Sequence, residues 1–358
     1  MPPLSGFRIL EFDGLGPVTF AGMMLADLGA EVLRLTRADG GGAFEDVGGA
    51  VLHRGRAVVP VDLKAEADRA RVLDLARSAD AVIEGFRPGV MERLGLGPDA
   101  LARDNPRLVY GRVTGWGQGG PLADQVGHDI NYIGLSGVLH AMGEPDRPPR
   151  PPLNLVGDYG GGAMMLVVGV LAALLEARKT GRGRVVDAAM TDGSALLAAL
   201  FPALAARGLW SDRRGANLLD GGAPFYRCYA CRDGGFVAVG ALEPRFYAAL
   251  LKGLEIDPAE APQQEFALWP GLHARFAAVF ATRDRDDWAD RFAGTEACVT
   301  PVLTFEEAAA HPHNRTRQTH ARAGIVQPAP APRFDGQVVP VSPERPRLTL
   351  DQALERWR

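Results

Sequence analysis

Cysteine is scarce in this sequence: 358 residues contain three, Cys228, Cys231 and Cys298. So few, and an odd number, argue against a disulfide framework and for a reducing compartment. Cys228 and Cys231 have CxxC spacing, but no second CxxC completes a zinc site. The pair also falls in an apparent strand rather than at a helix start, so buried, inert thiols are the expectation. Excess charge of one sign is missing too. The net charge is −4, which gives no global attraction to nucleic acid or to an anionic membrane. The longest apolar run, Ala163 to Leu175, stops at Glu176 and is shorter than a bilayer requires. The first residues, MPPLSGFRILEF, lack the regions of a signal peptide, and the last, ERWR, match no retention or lipidation signal. A cytoplasmic protein with no nucleic-acid or membrane partner is the expectation.

Several catalytic motifs are absent as well. There is no GxxxxGK(S/T) for phosphoryl chemistry, no GxSxG nucleophile elbow and no HExxH. Gly14-Leu-Gly16 follows an apparent strand, but Thr19 stands where a dinucleotide fingerprint needs its third glycine. Pro17 removes a further N–H from that turn. His311-Pro-His313 has no third ligand in reach, so no metal is expected.

What is present is ordinary globular composition, 47% hydrophobic and 23% charged, over more residues than one compact core usually holds. RILEF, EVLRLTR, VVPVDL, AVIEGF and LVYGRVTGW read as buried strands, with helical patterns between them. The alternation predicts an α/β fold: a large Rossmann-like parallel-sheet domain over 1–205, completed by 323–358. The helical pattern VTFAGMMLADLGA should be C-capped at Gly29. GEPDRPPRPP must be an extended loop. An apolar helix near 163–179, the strand VVDAAM and a helix across SALLAALFPALAARGLW follow. Two short aromatic and valine-rich runs flank RDGG, a hairpin signal that opens a smaller α+β domain over 222–322. Linkers are placed near 206–221 and 323–345. The Pro-rich tail should pack across another domain or subunit.

Three acid/base residues stand at element boundaries. His128 lies in a glycine-flanked turn, GHDINY, that opens a helix. Asp158, in NLVGDYGGG, precedes three glycines and a helix, where an acid feels the positive end of the helix and glycines admit a ligand to the backbone. Glu243, in GALEPRFY, lies between a strand and a helix. Taken singly, each reads equally as a cap or first-turn residue, and for Asp158 position alone favours the cap.

Taken together, these stretches resemble the α-methylacyl-CoA racemases within the family III CoA transferases. The resemblance runs from PLSGFRILEF through VIEGFRPGVMERLGLGP, GHDINY, PPLNLVGDYGGG and RGANLLDGGAPFY to ACVTPVL, nearly the whole chain. It implies that His128 and Asp158 are the two acid/base groups, that Glu243 orients the histidine and that Asn154 supports the aspartate. Asp129 would offer its backbone N–H to the thioester oxygen, beside Gly127. Arg37, Arg87 and Arg93 would approach the CoA phosphates. It further implies an interlocked homodimer with the active site between subunits, and no cofactor, since CoA is carried by the substrate.

The chemistry explains the residue types. Inverting a carbon next to a thioester needs one base to take a proton from one face and a loaded acid to return one to the other. An imidazole and a carboxyl can exchange those roles when they titrate as a pair. Two other functions remain open. In a CoA transferase, Asp158 would be a nucleophile; a non-catalytic acyl-CoA-binding protein would use neither proton carrier.

Overall fold

The computed structural model describes residues 1–38, 48–343 and 345–358. The chain forms two compact units. Unit 1 comprises 1–138, 152–199 and 316–358; unit 2 comprises 139–151 and 200–315. The proline-rich loop and the 206–221 segment therefore cluster with the smaller unit. The sequence pattern places the first in the large domain and the second in a linker.

Unit 1 is built on six parallel strands in the order β3-β2-β1-β4-β5-β6. They are β1 (Arg8–Phe12), β2 (Glu31–Arg37), β3 (Ala57–Val61), β4 (Ala81–Glu84), β5 (Val109–Thr114) and β6 (Val185–Ala189). This is the doubly wound order, whose winding reverses between β1 and β4. Leu10 sits opposite Leu33 on β2 and Val82 on β4. Alternate residues feed two cores. Ile9, Val32, Ile83 and Val113 pack under the helices Pro17–Asp27 and Met165–Thr180. Leu10, Leu33, Val82 and Tyr110 pack under the helix Glu66–Arg77 and the C-terminal helix Leu350–Trp357. Burial on both faces explains why these strands read as continuous apolar runs. Trp357, 1% exposed, completes the second core from the end of the chain.

The helix Pro17–Asp27 ends at the C-cap Leu28, and Gly29 follows with φ +100, the left-handed conformation glycine tolerates best. The apolar helix after the proline loop is longer than the hydrophobic run implies. It begins at Leu155 and continues to Thr180, 26 residues that are long and apolar enough, by length and composition alone, to cross a membrane. Half of its most apolar window is buried inside the unit, over β5 and β6. SALLAALFPALAARGLW forms two helices, Met190–Leu197 and Leu200–Ala206. Pro202 explains the break: its ring opposes the carbonyl of Ala198, four residues earlier. The boundary between the two units falls at the same place.

In unit 2, β7 (Tyr226–Ala230), β8 (Phe236–Gly240) and β9 (Val299–Val302) form an antiparallel sheet in that order. One face packs Tyr229, Val237 and Val239 against Tyr247, Phe276 and Phe280 from its helices. The RDGG hairpin joins β7 to β8.

Candidate active site

His128 is the N-cap of the helix Asp129–Leu135, with extended backbone. Its N–H donates to Asn131 Oδ1 at 3.0 Å, closing the first turn. The side chain of His128 remains exposed. Tyr132, buried behind it, donates its hydroxyl to the Gly127 carbonyl and sets its ring edge-on to Trp116 at 4.8 Å. A β-carbon at Gly127 would lie 2.8 Å from that ring, and one at Gly115 only 2.0 Å. Gly127 therefore has a packing reason to be glycine, beside the substrate contact the resemblance implies.

Asp158 is not an N-cap. It lies inside a widened i→i+5 helical segment, Leu155–Met164, whose cap is Asn154. The expectation of a capping aspartate is corrected, since the cap, Asn154, stands four residues before Asp158. The glycines serve the fit. A β-carbon at Gly161 would lie 2.7 Å from Ser194, and one at Gly193 would lie 2.0 Å from the Gly161 carbonyl. Here the acid-bearing turn and the helix Met190–Leu197 meet backbone to backbone.

The Asp158 carboxyl faces the start of the helix Pro17–Asp27. A β-carbon at Gly16, whose φ is +70, would stand 3.1 Å from Asp158 Oδ2. Asn154 Nδ2 donates to the same oxygen at 3.3 Å. Burial pushes the Asp158 carboxyl above its ordinary value; Asn154 pulls it down, Asp129 pushes it up and His128 pulls it down. His128 therefore lies close enough to Asp158 for its charge to be felt there. Tyr159, next in sequence, stacks on Phe20 at 4.2 Å, which braces the turn from its other side.

The side chain of Asp129, unlike its backbone, was not singled out in the sequence. It is 7% exposed, and its Oδ2 accepts the backbone N–H of Asp158 at 2.7 Å. Glu243 belongs to the other unit. There it is the exposed N-cap of the helix Pro244–Leu254, close enough to Cys298 for its charge to be felt.

A cleft of about 750 Å³ opens at the carboxyl ends of β1, β2 and β3, beside the loop after β4. In open parallel sheets this edge, at the winding reversal, is where ligands bind. Arg37 and Arg93 line it, together with Lys64, which the sequence reading missed. Arg87 is not among its lining residues; it lies close enough to Tyr132 to influence the phenol. The loop carrying Arg87 and Arg93 is anchored from the sheet. Arg112 pairs with buried Glu84 at 2.8 Å and with Glu92 at 2.7 Å, and Glu84 accepts the Phe86 N–H. The signals for Lys64 and Gly16 were VDLKAE at the end of β3 and the failed glycine motif; neither is specific without the fold.

Unit 2 has its own cleft, of about 740 Å³, lined in part by Cys228, Cys298, Arg227 and His273. Arg227 Nη1 lies 2.9 Å from His273 Nδ1, and burial, with Arg227, lowers the His273 pKa. Its thiols are free, and among the described residues no cluster of three His, Cys, Asp or Glu could hold a metal.

A family model described as CoA-transferase family III matches residues 4–352. An alpha-methylacyl-CoA racemase of Mus musculus is 47% identical over 330 residues, 92% of this chain and 85% of that protein. The Homo sapiens protein of that name is 45% identical over 332 residues, 92% of this chain and 86% of its own. The crystal structure of a CAIB/BAIF family protein from Brucella suis superposes with a TM-score of 0.81 at 26% identity, covering 99% of this chain and 98% of that one.

Proposed function

The chain belongs to CoA-transferase family III, and within that family we propose that it is an α-methylacyl-CoA racemase, inverting the α-carbon of 2-methyl-branched acyl-CoA thioesters. One observation carries the reading: Asp129, the chain neighbour of His128, accepts the Asp158 N–H at 2.7 Å, which brings His128 and Asp158 to one site, and burial pushes the Asp158 carboxyl up. A carboxyl that holds its proton nearer neutrality is suited to donating one. The 45% and 47% identities to proteins named as racemases support the same branch.

In the forward direction, one of the pair takes the α-proton while the other, already protonated, delivers to the opposite face. In reverse the roles exchange. Between the steps the substrate is an enolate, with charge on the thioester oxygen. The backbone N–H of Asp129, first in its helix, is the donor assigned to that oxygen. The resemblance assigns to Glu243 the orienting of the His128 imidazole and the stabilising of its cation. Proton transfer of this kind needs no metal or organic cofactor. Arg37, Arg93 and Lys64 at the sheet-edge cleft are suited to the CoA phosphates, and Arg87 to the route between cleft and acid.

The same reading includes an interlocked homodimer. Along the outer face of the helix Leu155–Thr180, Met164, Val168 and Leu175 are exposed, Leu175 by 65%, and Leu196 and Leu197 are exposed on the next helix. A second copy would cover that apolar stripe. The free cysteines suit a reducing, cytoplasmic setting.

Isotope exchange tests the function. The protein is incubated with a 2-methylacyl-CoA of one configuration in heavy water. Deuterium at the α-carbon with loss of configuration is expected, and His128→Ala and Asp158→Ala each remove most of it, by about 10²- to 10⁴-fold. Glu243→Ala is milder. No deuterium, with CoA passed to an added carboxylic acid, would establish a transferase instead. Binding without either reaction would leave a scaffold.

A further inference from the structure

We propose that Asp129 is a positioning residue for the proton transfer: its buried carboxylate clamps the backbone N–H of Asp158 and so fixes the gap between the two bases. The proposal rests on the racemase reading and assigns the Asp129 side chain a task separate from that of its N–H.

The argument begins with the widened turn. An i→i+5 pattern leaves the first N–H groups of the segment without acceptors inside it. The Tyr159 N–H reaches the Asn154 carbonyl, five residues back, at 3.3 Å. Asp158 comes one residue too early to find such an acceptor, and its N–H goes instead to Asp129 Oδ2 at 2.7 Å. A first-turn aspartate ordinarily faces water. This one is buried, and its second oxygen, Oδ1, is shielded and has no hydrogen-bond partner. Such an arrangement is costly unless its geometry is useful. Gly157 permits it, because a β-carbon there would lie 2.5 Å from Asp129 Oδ2 and 3.2 Å from Ile133.

The chain connectivity supplies the purpose. His128 and Asp129 are adjacent, so a bond from Asp129 to Asp158 ties one proton carrier to the other through two backbones. Charge acts along the same line. Asp129 raises the affinity of Asp158 for its proton, while Asn154 and His128 lower it; Tyr132, with Arg87 beyond it, also feels the Asp158 charge. Gly16 and Phe20, on the helix opposite, bring no charge.

The test uses the full chain with Asp129→Asn and Asp129→Ala. It measures kcat and KM for α-proton exchange, the pH profile of kcat/KM, and thermal melting. Asp129→Asn keeps an acceptor oxygen and removes the charge. It is expected to retain most of kcat while the acid limb of its profile moves to lower pH. Asp129→Ala removes the clamp. Its kcat should fall by about a hundredfold, the scale of a small misplacement of reacting groups, with KM little changed. If Asp129→Ala does not fold, the acid limb of Asp129→Asn decides. Wild-type kcat and an unmoved acid limb in the folded variants, with only a lower melting temperature, would overturn the proposal alone. No α-exchange in the wild-type protein would overturn the racemase reading, and this proposal with it.

Discussion

Gly16 and Asp158 meet where a dinucleotide-binding fold places its pyrophosphate. The glycine opens the first crossover helix at φ +70, and the acid lies within 3.1 Å of where a side chain at Gly16 would begin. A helix N-terminus favours negative charge. Here the protein supplies that charge itself, from a helix more than a hundred residues later in the chain.

Gly16→Ala should therefore damage the site more than the fold. Positive φ at a non-glycine residue costs about 1–3 kcal/mol, and the methyl would also press on the carboxyl. Urea unfolding should show a loss in that range. The kcat for α-proton exchange should fall at least about tenfold. Unchanged kcat with the stability loss alone would place the acid further from Gly16 than the structure has it.

Asp158→Asn should stabilise the protein while disabling it. The folded-state pKa of Asp158 is raised above the ordinary 3.8. Its favourable, protonated contribution is therefore fully present below that ordinary value and is lost as pH rises through the raised one. An asparagine escapes this loss. Thermal melts should show the variant ahead of wild type near pH 7 and the gap closing toward about pH 4. A gap that widens in acid would reverse the sign of the burial argument.

Arg93→Ala and Lys64→Ala should act on binding. Each removes a cation from the cleft at the sheet edge, which neither His128 nor Asp158 lines. A lost charge-assisted contact of about 1.5–3 kcal/mol corresponds to a rise in KM of at least about tenfold, with kcat unaltered. Steady-state kinetics with a CoA thioester and with a truncated pantetheine thioester would check it, since the truncated substrate should not sense either change.

The buried pair Glu11–Arg56 should govern stability without touching the reaction. Both side chains are 0% exposed, and Arg56 Nη1 lies 2.6 Å from Glu11 Oε2. Removing one partner strands a charge. Arg56→Met should cost about 3–5 kcal/mol in urea unfolding, whereas the double change Glu11→Met with Arg56→Met should recover much of it.

The parallel sheet could be read from the chain because strands buried on both faces announce themselves as apolar runs; Arg8–Phe12 and Glu31–Arg37 have the bounds their residues predict. His128, Asn154 and Asp158 stand out in the sequence through the long motifs that contain them. The side-chain role of Asp129 was not legible, because nothing in GHDINY distinguishes a buried aspartate from a solvated one. The widened turn was hidden for a related reason: glycines carry no hydrophobic period, so NLVGDYGGG looks like a loop before a helix. The split after Leu197 was legible in principle from Pro202, but the apolar pattern around it outweighed the proline. The paired arginine and histidine, Arg227 and His273, are 46 residues apart and meet only across the small unit's packing.

The seam between Gly161 and Gly193 limits how this enzyme could be retuned. With main chain against main chain there is no side chain to trim or enlarge, and even a methyl would push the turn that carries Asp158 out of line. A protein engineer seeking a different acyl preference would have to work at exposed positions such as Ile130 and Leu155, and leave the seam between those two glycines as it is.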